Sequence, residues 1–369
     1  MDEWIKKAKS YSSAKRLLFL ASVAVNAGFF LAMIRTGASA VLARACYGFF
    51  ADSYMAAVMF ITLTGCALAA VSAPFTCVIP YTIERGYGLS RQAFLSWVVD
   101  CAKSALLSAA LIMAMFTAVY FLLINFTLFW WLYAGIVFFL VNIFLARVFP
   151  MLIIPLFYKL TKVSDPGLKD KLSQLARKAG IKILDIYVIA LGKKTSKANA
   201  AVCGMGTTKR ILLSDTILEK YPADEIEMTL AHELAHYKLK HIWKLSLAGF
   251  LMTLTSLFLI DIMLNTLIRT GVIQYKYSLE AFPYMALFLT LFNFMAMPVE
   301  NFITRIYEAQ ADKNAIALTN NPGALLKLME RLSSQNLSDP SPCRFEKIFF
   351  YSHPPAAERI AAAKNYQAV

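Results

Sequence analysis

Histidine, charge and paired cysteines are what this sequence has little of. It has four histidines in 369 residues, and three of them fall between positions 229 and 241. Charged residues make up 16% of the chain, whereas a soluble domain has about a quarter. The six cysteines are scattered, with no C-x-x-C pair. That pattern argues against a small disulfide-rich secreted scaffold and predicts reduced thiols.

The apolar content is correspondingly high, at 59%. Such an excess is typical of a chain that faces lipid as well as water. The net charge is +14, from 37 basic and 23 acidic residues. Few of the basic residues form runs interleaved with aromatics, so we expect no nucleic-acid partner. A positive cytoplasmic face on a membrane protein accounts for the charge instead.

Six apolar runs are long enough to cross a membrane, which takes about 20 residues. They are 17–34, 55–79, 104–126, 128–145, 245–267 and 281–304. Each run could be a buried core helix, but six in one chain favour membrane spans, with lipid as a partner. After the fourth run, two prolines in "FPMLIIPLFYKL" predict that the chain turns out along the membrane surface.

The first run has some features of a secretory signal, namely a basic start and an A-x-A motif at 38–40. Its length and the arginine that follows it, Arg35, favour an uncleaved anchor. Basic residues gather before span one, between spans two and three, after span four and after span six. The positive-inside rule therefore places both termini, and the polar segment between spans four and five, in the cytoplasm.

These boundaries predict four regions. Spans one to four occupy 1–149, a cytoplasmic α+β unit 150–244, spans five and six 245–304, and a C-terminal cytoplasmic segment 305–369. In the α+β unit, "DPGLKDKLSQLARKAGI" predicts a helix, "ILDIYVIAL" a strand, and "NAAVCGMGTTKRILLSDTIL" two strands around a Gly-Thr turn. "YPADEIEMTLAHELAHYKLKH" predicts a further helix, with its acidic residues first and its lysines last.

That last helix contains "HELAH". Residues i and i+4 share one helix face, with Cβ atoms about 6 Å apart, so His232 and His236 can bind one metal ion. Glu233 is rotated away from them and can take a proton from a water whose pKa the metal lowers. This is the H-E-x-x-H pattern of zinc proteases. The alternative, two surface histidines paired by chance, is disfavoured because histidine is so scarce.

A third metal ligand must come from elsewhere. His241 is near, but it lacks the spacing and the glycine of the metzincin pattern, so we expect it to cap the helix C-terminus or to support the site. In "NFITRIYEAQADKNAIAL", Glu308 and Asp312 are i and i+4 on a predicted helix. Glu308 can bind the metal, and Asp312 can accept the second N–H of a ligand histidine. Alone, this pair would indicate a solvated acidic face; together with "HELAH" it favours a ligand.

The fourth histidine, His353, lies in "YSHPPAAERIAAA". Two prolines after it hold it in an extended turn, and Arg359 follows on a predicted helix. Either side chain could donate to the oxyanion that forms when a peptide bond is attacked. The alternative is an ordinary surface turn followed by a helix-terminal charge.

The chain resembles the integral-membrane zinc metalloproteases of the CAAX prenyl protease type I family. The resemblance covers about residues 50–365 and runs through "APFTCVIPYTIERGYGLSRQ", "FPMLIIPLFYKLT", "SKANAAVCGMGTTKRILLSDTIL", "AHELAHYKLKHI", "RIYEAQAD" and "SHPPAAERI". The order and spacing of these segments make it more specific than H-E-x-x-H alone. It implies a mainly α-helical protein whose spans enclose an intramembrane chamber, capped by a small zincin-like α+β unit.

The same resemblance implies the parts of a site. One Zn2+ per chain would be held by His232, His236 and Glu308, with Glu233 as general base. Asp312 would orient a ligand histidine, and His353 and Arg359 would donate to the transition state. Asn199, together with Ala200 and Gly204 in N-A-x-x-x-G, would align the substrate backbone beside an edge strand.

Two departures from the eukaryotic pattern indicate a bacterial-type homologue in an inner membrane. Ala201 stands where an aromatic residue is usual, and "KNYQAV" has no lysine retrieval signal. We therefore expect a peptide or protein substrate that is lipid-linked or membrane-associated, with prenylation left open. The alternatives are a quality-control protease of the heat-shock type and a transporter-like or catalytically silent protein. Asp261, a charge inside span five, would suit a transporter or a chamber wall.

Overall fold

The computed structural model describes residues 2–204 and 209–366. Within them, six helical segments are long and apolar enough to cross a membrane. They are Glu3–Arg35, Ser53–Gly86, Phe94–Asn125, Trp130–Phe157, His241–Arg269 and Leu279–Thr319. Each contains most or all of one run predicted from the sequence, so the prediction of a six-span helical membrane protein is confirmed.

The helices and strands of the described residues are numbered in chain order. The helices are α1 (Asp2–Arg35), α2 (Ala38–Phe49), α3 (Ser53–Ala73), α4 (Ile79–Gly86), α5 (Phe94–Asn125), α6 (Trp130–Val148), α7 (Ile154–Phe157), α8 (Pro166–Lys178), α9 (Asp215–Lys220), α10 (Ala223–Lys238), α11 (His241–Arg269), α12 (Phe282–Thr319), α13 (Pro322–Asn336), α14 (Arg344–Phe350) and α15 (Ala356–Lys364). The strands are β1 (Leu160–Lys162), β2 (Asp185–Ile189), β3 (Ala200–Cys203) and β4 (Arg210–Ser214).

The fourth span does not end at its prolines, so the prediction that the chain turns out there is wrong. α6 passes through a π-helical turn, Phe149–Ile153, directly into α7. Pro150 and Pro155 each remove one backbone N–H donor, and the π-helical turn accommodates this change without ending the helix. The chain leaves the helical rod only after Phe157.

A short helix between the first two spans was not predicted. α2 has 12 residues, too few to cross a membrane. It buries Ala43 and Cys46 in a cluster with Phe60 and Tyr120 from the neighbouring spans. The outer faces of the spans carry exposed apolar side chains, such as Leu106 at 73%. Exposed apolar surface of this extent is typical of contact with lipid.

The α+β unit contains one four-stranded sheet in the order β1-β2-β4-β3. β2 and β4 are parallel, and the two outer strands are antiparallel to their neighbours. The predicted helix α8 and strands β2, β3 and β4 are present, whereas the short β1 was missed and the predicted Gly-Thr turn lies outside the described residues. The sheet packs with α8 and α10 around a common core that includes Leu172, Ile211 and Leu234.

The α+β unit contacts the membrane spans through the segment that precedes strand β3. Lys194 Nζ lies 2.5 Å from Asp100 Oδ2 on α5, and Lys197 Nζ lies 2.9 Å from Glu84 Oε1 on α4. Ser90 and Thr195 form an isolated antiparallel bridge. These contacts place the segment that leads into β3 against the adjoining ends of the second and third spans.

Asp261 in span five is paired. Its Oδ1 lies 2.6 Å from Lys276 Nζ and accepts a 2.6 Å hydrogen bond from Trp130 Nε1. Its Oδ2 accepts from Asn265 Nδ2 at 3.0 Å. Through these contacts Asp261 links the α11–α12 connection, which contains Lys276, to Trp130 at the start of α6. An apolar cavity of about 530 Å³ lies beside it, between the spans.

Candidate metal centre

Two crossing helices bring the three predicted ligands together. His232 and His236 lie one turn apart on α10, with their Nε2 atoms 3.1 Å apart. Glu308 comes from α12, with Oε2 3.1 Å from His232 Nε2 and Oε1 3.4 Å from His236 Nε2. The three ligand atoms all lie within 4.8 Å of one another. This spacing suits one ion at about 2.1 Å from each atom.

The residues present fit a cation. Glu308 Oε2 is buried and has no partner with hydrogen-bond geometry among the described residues, although imidazole nitrogens approach it closely. A buried carboxylate oxygen without a donor is costly unless a positive charge faces it. Two imidazole nitrogens and one carboxylate oxygen are a donor set that zinc prefers. Across residues 2–204 and 209–366, no other group of three such side chains is placed to share an ion.

Each of the two candidate ligand histidines contacts another side chain through its Nδ1 atom. His232 Nδ1 lies 2.9 Å from Asp312 Oδ1. Arg359 on α15 donates to both oxygens of Asp312, from Nε at 2.7 Å and from Nη2 at 2.6 Å. His236 Nδ1 lies 3.2 Å from Nδ1 of the buried His241, so the geometry agrees with a supporting place for His241.

Sequence reasoning missed the residues that hold His241. Its Nε2 lies 3.1 Å from Gln310 Oε1, and its ring stacks on Tyr307 with centroids 4.6 Å apart. Both residues stand in "RIYEAQAD", beside Glu308. That proximity was the only signal in the sequence, because neither residue type predicts a place in a metal site.

The electrostatics differ between neighbouring groups on α10. Burial raises the pKa of Glu233, which suits a carboxylate that must accept a proton. Burial lowers the pKa of His232, but the neighbouring Asp312 and Glu308 carboxylates outweigh it and raise the pKa to about 9. Burial, followed by repulsion from His232, lowers the pKa of His236 to about 4.

The predicted substrate-binding residues lie along an edge strand. Asn199 precedes β3 and exchanges hydrogen bonds with Ser214, through its N–H at 3.0 Å and its carbonyl at 2.9 Å. Ala200 begins β3, and Gly204 follows it with a φ of 91°, which favours glycine. Among the described residues, β3 pairs with β4 alone, so its other edge has no strand partner.

A cavity of about 570 Å³ joins this strand to His232, one of the three candidate metal ligands. Asn199, Ala200, His232, Glu233, His353 and Arg359 all line it. The His353 side chain is 58% exposed, and its Nδ1 lies 2.8 Å from Glu308 Oε2. The structure therefore gathers the predicted residues at one site, with Gly204 at the far end of β3.

Comparison with known proteins decides the family. The family model for peptidase family M48 matches residues 163–367, more than half of the chain. The chain belongs to peptidase family M48. A second family model, described as the CAAX prenyl protease N-terminal region with five membrane helices, matches residues 1–159 of this M48 protein. Four long helices and the short α2 occupy that region here.

Relatives of this M48 chain span bacteria and eukaryotes. It is 29% identical to a Bacillus subtilis protein named uncharacterized metalloprotease YhfN, over 97% of this chain and 85% of that one. It is 29% identical to CAAX prenyl protease 1 of Saccharomyces cerevisiae, over 82% and 71% of the two chains. The crystal structure of S. mikatae Ste24p has the same fold, with a TM-score of 0.87, 24% identity, and coverage of 99% and 90%.

These matches confirm the resemblance predicted from the sequence. The chain is a membrane metalloprotease of family M48 that is similar to the CAAX prenyl proteases. They favour this prediction over a transporter-like or silent protein and over a heat-shock-type protease.

Proposed function

We propose that this M48 protein is a zinc endopeptidase of the gluzincin type, with one ion bound by His232, His236 and Glu308. The observation that carries the proposal is the buried Glu308 Oε2, which lacks a hydrogen-bond donor yet faces two imidazoles. Bound zinc would lower the pKa of a water molecule and polarise the carbonyl of the scissile peptide.

The remaining residues supply proton transfer and charge stabilisation. Glu233, with its raised pKa, accepts the proton of the attacking water and passes it to the leaving amine. His353 donates to the oxyanion, since its exposed side chain stands at the cavity and next to Glu308. Arg359 acts through Asp312 to hold His232, because two of its nitrogens are already bonded to that carboxylate. A direct bond from Arg359 to the oxyanion stays a prediction.

An extended peptide would lie along the open edge of β3. Main-chain hydrogen bonds to an edge strand align a peptide without regard to its side chains. Asn199 and Ala200, which line the cavity, would fix the peptide next to Glu233, and Gly204 would let the backbone approach closely at the other end.

The α+β unit and both termini would face the cytoplasm of a bacterial inner membrane. The basic residues at the predicted cytoplasmic ends of the spans support this orientation. The boundaries between the membrane regions and the cytoplasmic regions would lie at residues 149, 244 and 304. The substrate would be a peptide or protein that is lipid-linked or membrane-associated, and the relatives named CAAX prenyl proteases support testing prenylated peptides first.

Chelation tests the metal requirement. The purified full chain would be incubated with fluorogenic peptides, with and without a prenyl group, in the presence of phenanthroline. We expect cleavage to stop and to return when zinc is added in excess of the chelator. Cleavage that continues after the protein's metal content has fallen to zero would contradict the proposal.

A further inference from the structure

A second large groove lies next to the catalytic cavity. It has a volume of about 850 Å³ and runs between the C-terminal half of α12 and the helices α14 and α15. Its lining is mainly apolar and includes Phe302, Ile306, Ile316, Leu325, Ile348 and Tyr366. None of the proposed steps of peptide hydrolysis uses this groove.

The groove begins near the position where the apolar run of span six ends. Asn301 Nδ2 donates to the Phe349 carbonyl at 2.6 Å, and Arg305 Nη1 donates to the Lys347 carbonyl at 2.8 Å. These bonds fix α14 beside positions 301–305, where the apolar run of span six ends. Phe302 is 58% exposed on the same turn. We therefore expect the Phe302 end of the groove to face lipid.

Charge in the groove is unbalanced. Five basic and two acidic residues line it, a net charge of +3. Arg359 pairs with Asp312, and Lys347 pairs with Glu358 at 2.6 Å, so both acidic groups are neutralised. Arg305 donates to backbone carbonyls.

The other two basic residues that line the groove are Lys313 and Arg344. Neither has an acidic partner within 4.0 Å among residues 2–204 and 209–366, and both side chains are exposed.

We infer that this groove binds one anionic glycerophospholipid. Its phosphate would contact Lys313 and Arg344, and an acyl chain would lie along Phe302 and Ile306. Basic side chains next to a cytoplasmic leaflet attract anionic lipid, and the apolar floor adds burial of hydrocarbon. A peptide segment would need main-chain partners, whereas the groove offers two unpaired cations and an end that we expect to face lipid.

Arg359 lines this groove as well as the catalytic cavity. A lipid held there would restrain α15 and with it the contact between Arg359 and Asp312. That consequence rests on the proposed function, but lipid binding itself does not.

Lipid binding to the intact chain tests the inference. The chain would be placed in nanodiscs of phosphatidylcholine with or without one-fifth phosphatidylglycerol. Lipid retained after transfer to detergent would then be measured by native mass spectrometry. The test variant is Lys313→Gln/Arg344→Gln. The control is Lys6→Gln/Lys9→Gln, which removes the same charge from exposed positions near the start of α1.

We expect wild type and control to retain phosphatidylglycerol, and the test variant to bind it at least about fivefold more weakly. Melting temperatures in pure phosphatidylcholine check that both variants fold. Equal retention by the test variant would overturn the inference, as would an equal loss in the control, which would indicate general surface charge. Displacement of the retained phosphatidylglycerol by inorganic phosphate alone would also overturn the inference, because it would indicate a site for phosphate and not for a lipid.

Discussion

Arg359 donates two hydrogen bonds to Asp312, at 2.7 Å and 2.6 Å, and Asp312 Oδ1 in turn lies 2.9 Å from His232 Nδ1. A residue of α15 therefore contacts His232, a proposed metal ligand on α10, through a residue of α12. Because the bonded Asp312 oxygen fixes which nitrogen of His232 faces Glu308, we expect the C-terminal segment to contribute to metal affinity.

Asp312→Asn should weaken zinc binding by about 10–100-fold, since the amide can no longer act as an anionic acceptor for His232. Arg359→Lys should also weaken zinc binding, because lysine cannot make the two-bond contact with Asp312. The loss should be smaller than in Asp312→Asn, because lysine keeps the positive charge next to an intact Asp312. Affinity would be measured by competition with a zinc-binding dye.

If the three residues act in series, the Asp312→Asn/Arg359→Lys double variant should lose little more affinity than Asp312→Asn alone. Additive losses would show that Arg359 acts independently. The surface pair Lys171 and Glu227, 2.7 Å apart on the same unit, supplies a matched control that should leave affinity unchanged.

Glu308→Ala should reduce the zinc content of the purified chain well below one ion, because the site keeps only its two imidazoles. Elemental analysis after dialysis against a weak chelator checks this. Glu300→Ala, at an exposed position two turns earlier on α12, is the matched control. Full zinc occupancy in Glu308→Ala would point to His241 as the third ligand.

Lys276→Met should destabilise the membrane part, because it leaves Asp261 buried without its cation. Breaking a buried pair costs about 3–5 kcal/mol, although Trp130 and Asn265 still donate to Asp261 here. We expect a lower melting temperature in detergent, with stability partly restored in Asp261→Leu/Lys276→Met.

A transporter-like role for Asp261 predicts a different effect of substitution. Asp261→Leu alone would then abolish function while leaving stability unchanged. Peptide cleavage by the stable double variant would support a structural role for the pair.

The sequence was enough to predict the spans, since apolar length alone determines them. It was also enough to pair His232 with His236 and Glu308 with Asp312, because helical spacing decides which residues share a face. Proline was misleading at positions 150 and 155, since a π-helical turn there accommodates the missing N–H donors without ending the helix.

Long-range contacts were beyond sequence reasoning. Nothing local indicates that His241 meets Gln310, or that Lys197 reaches Glu84 on another helix. Those partners depend on how α10, α12 and the spans cross. The anionic-lipid groove likewise exists only once α14 is bonded to α12.

The central claim is that Glu233 is the proton acceptor beside a metal ion it does not bind. Glu233→Gln and the control Glu227→Gln, on the same helix, would each be assayed for zinc content and for peptide cleavage. The account predicts near-unit zinc in both, with cleavage about a thousandfold or more lower in Glu233→Gln alone. Zinc-loaded Glu233→Gln that cleaves at the wild-type rate would contradict it.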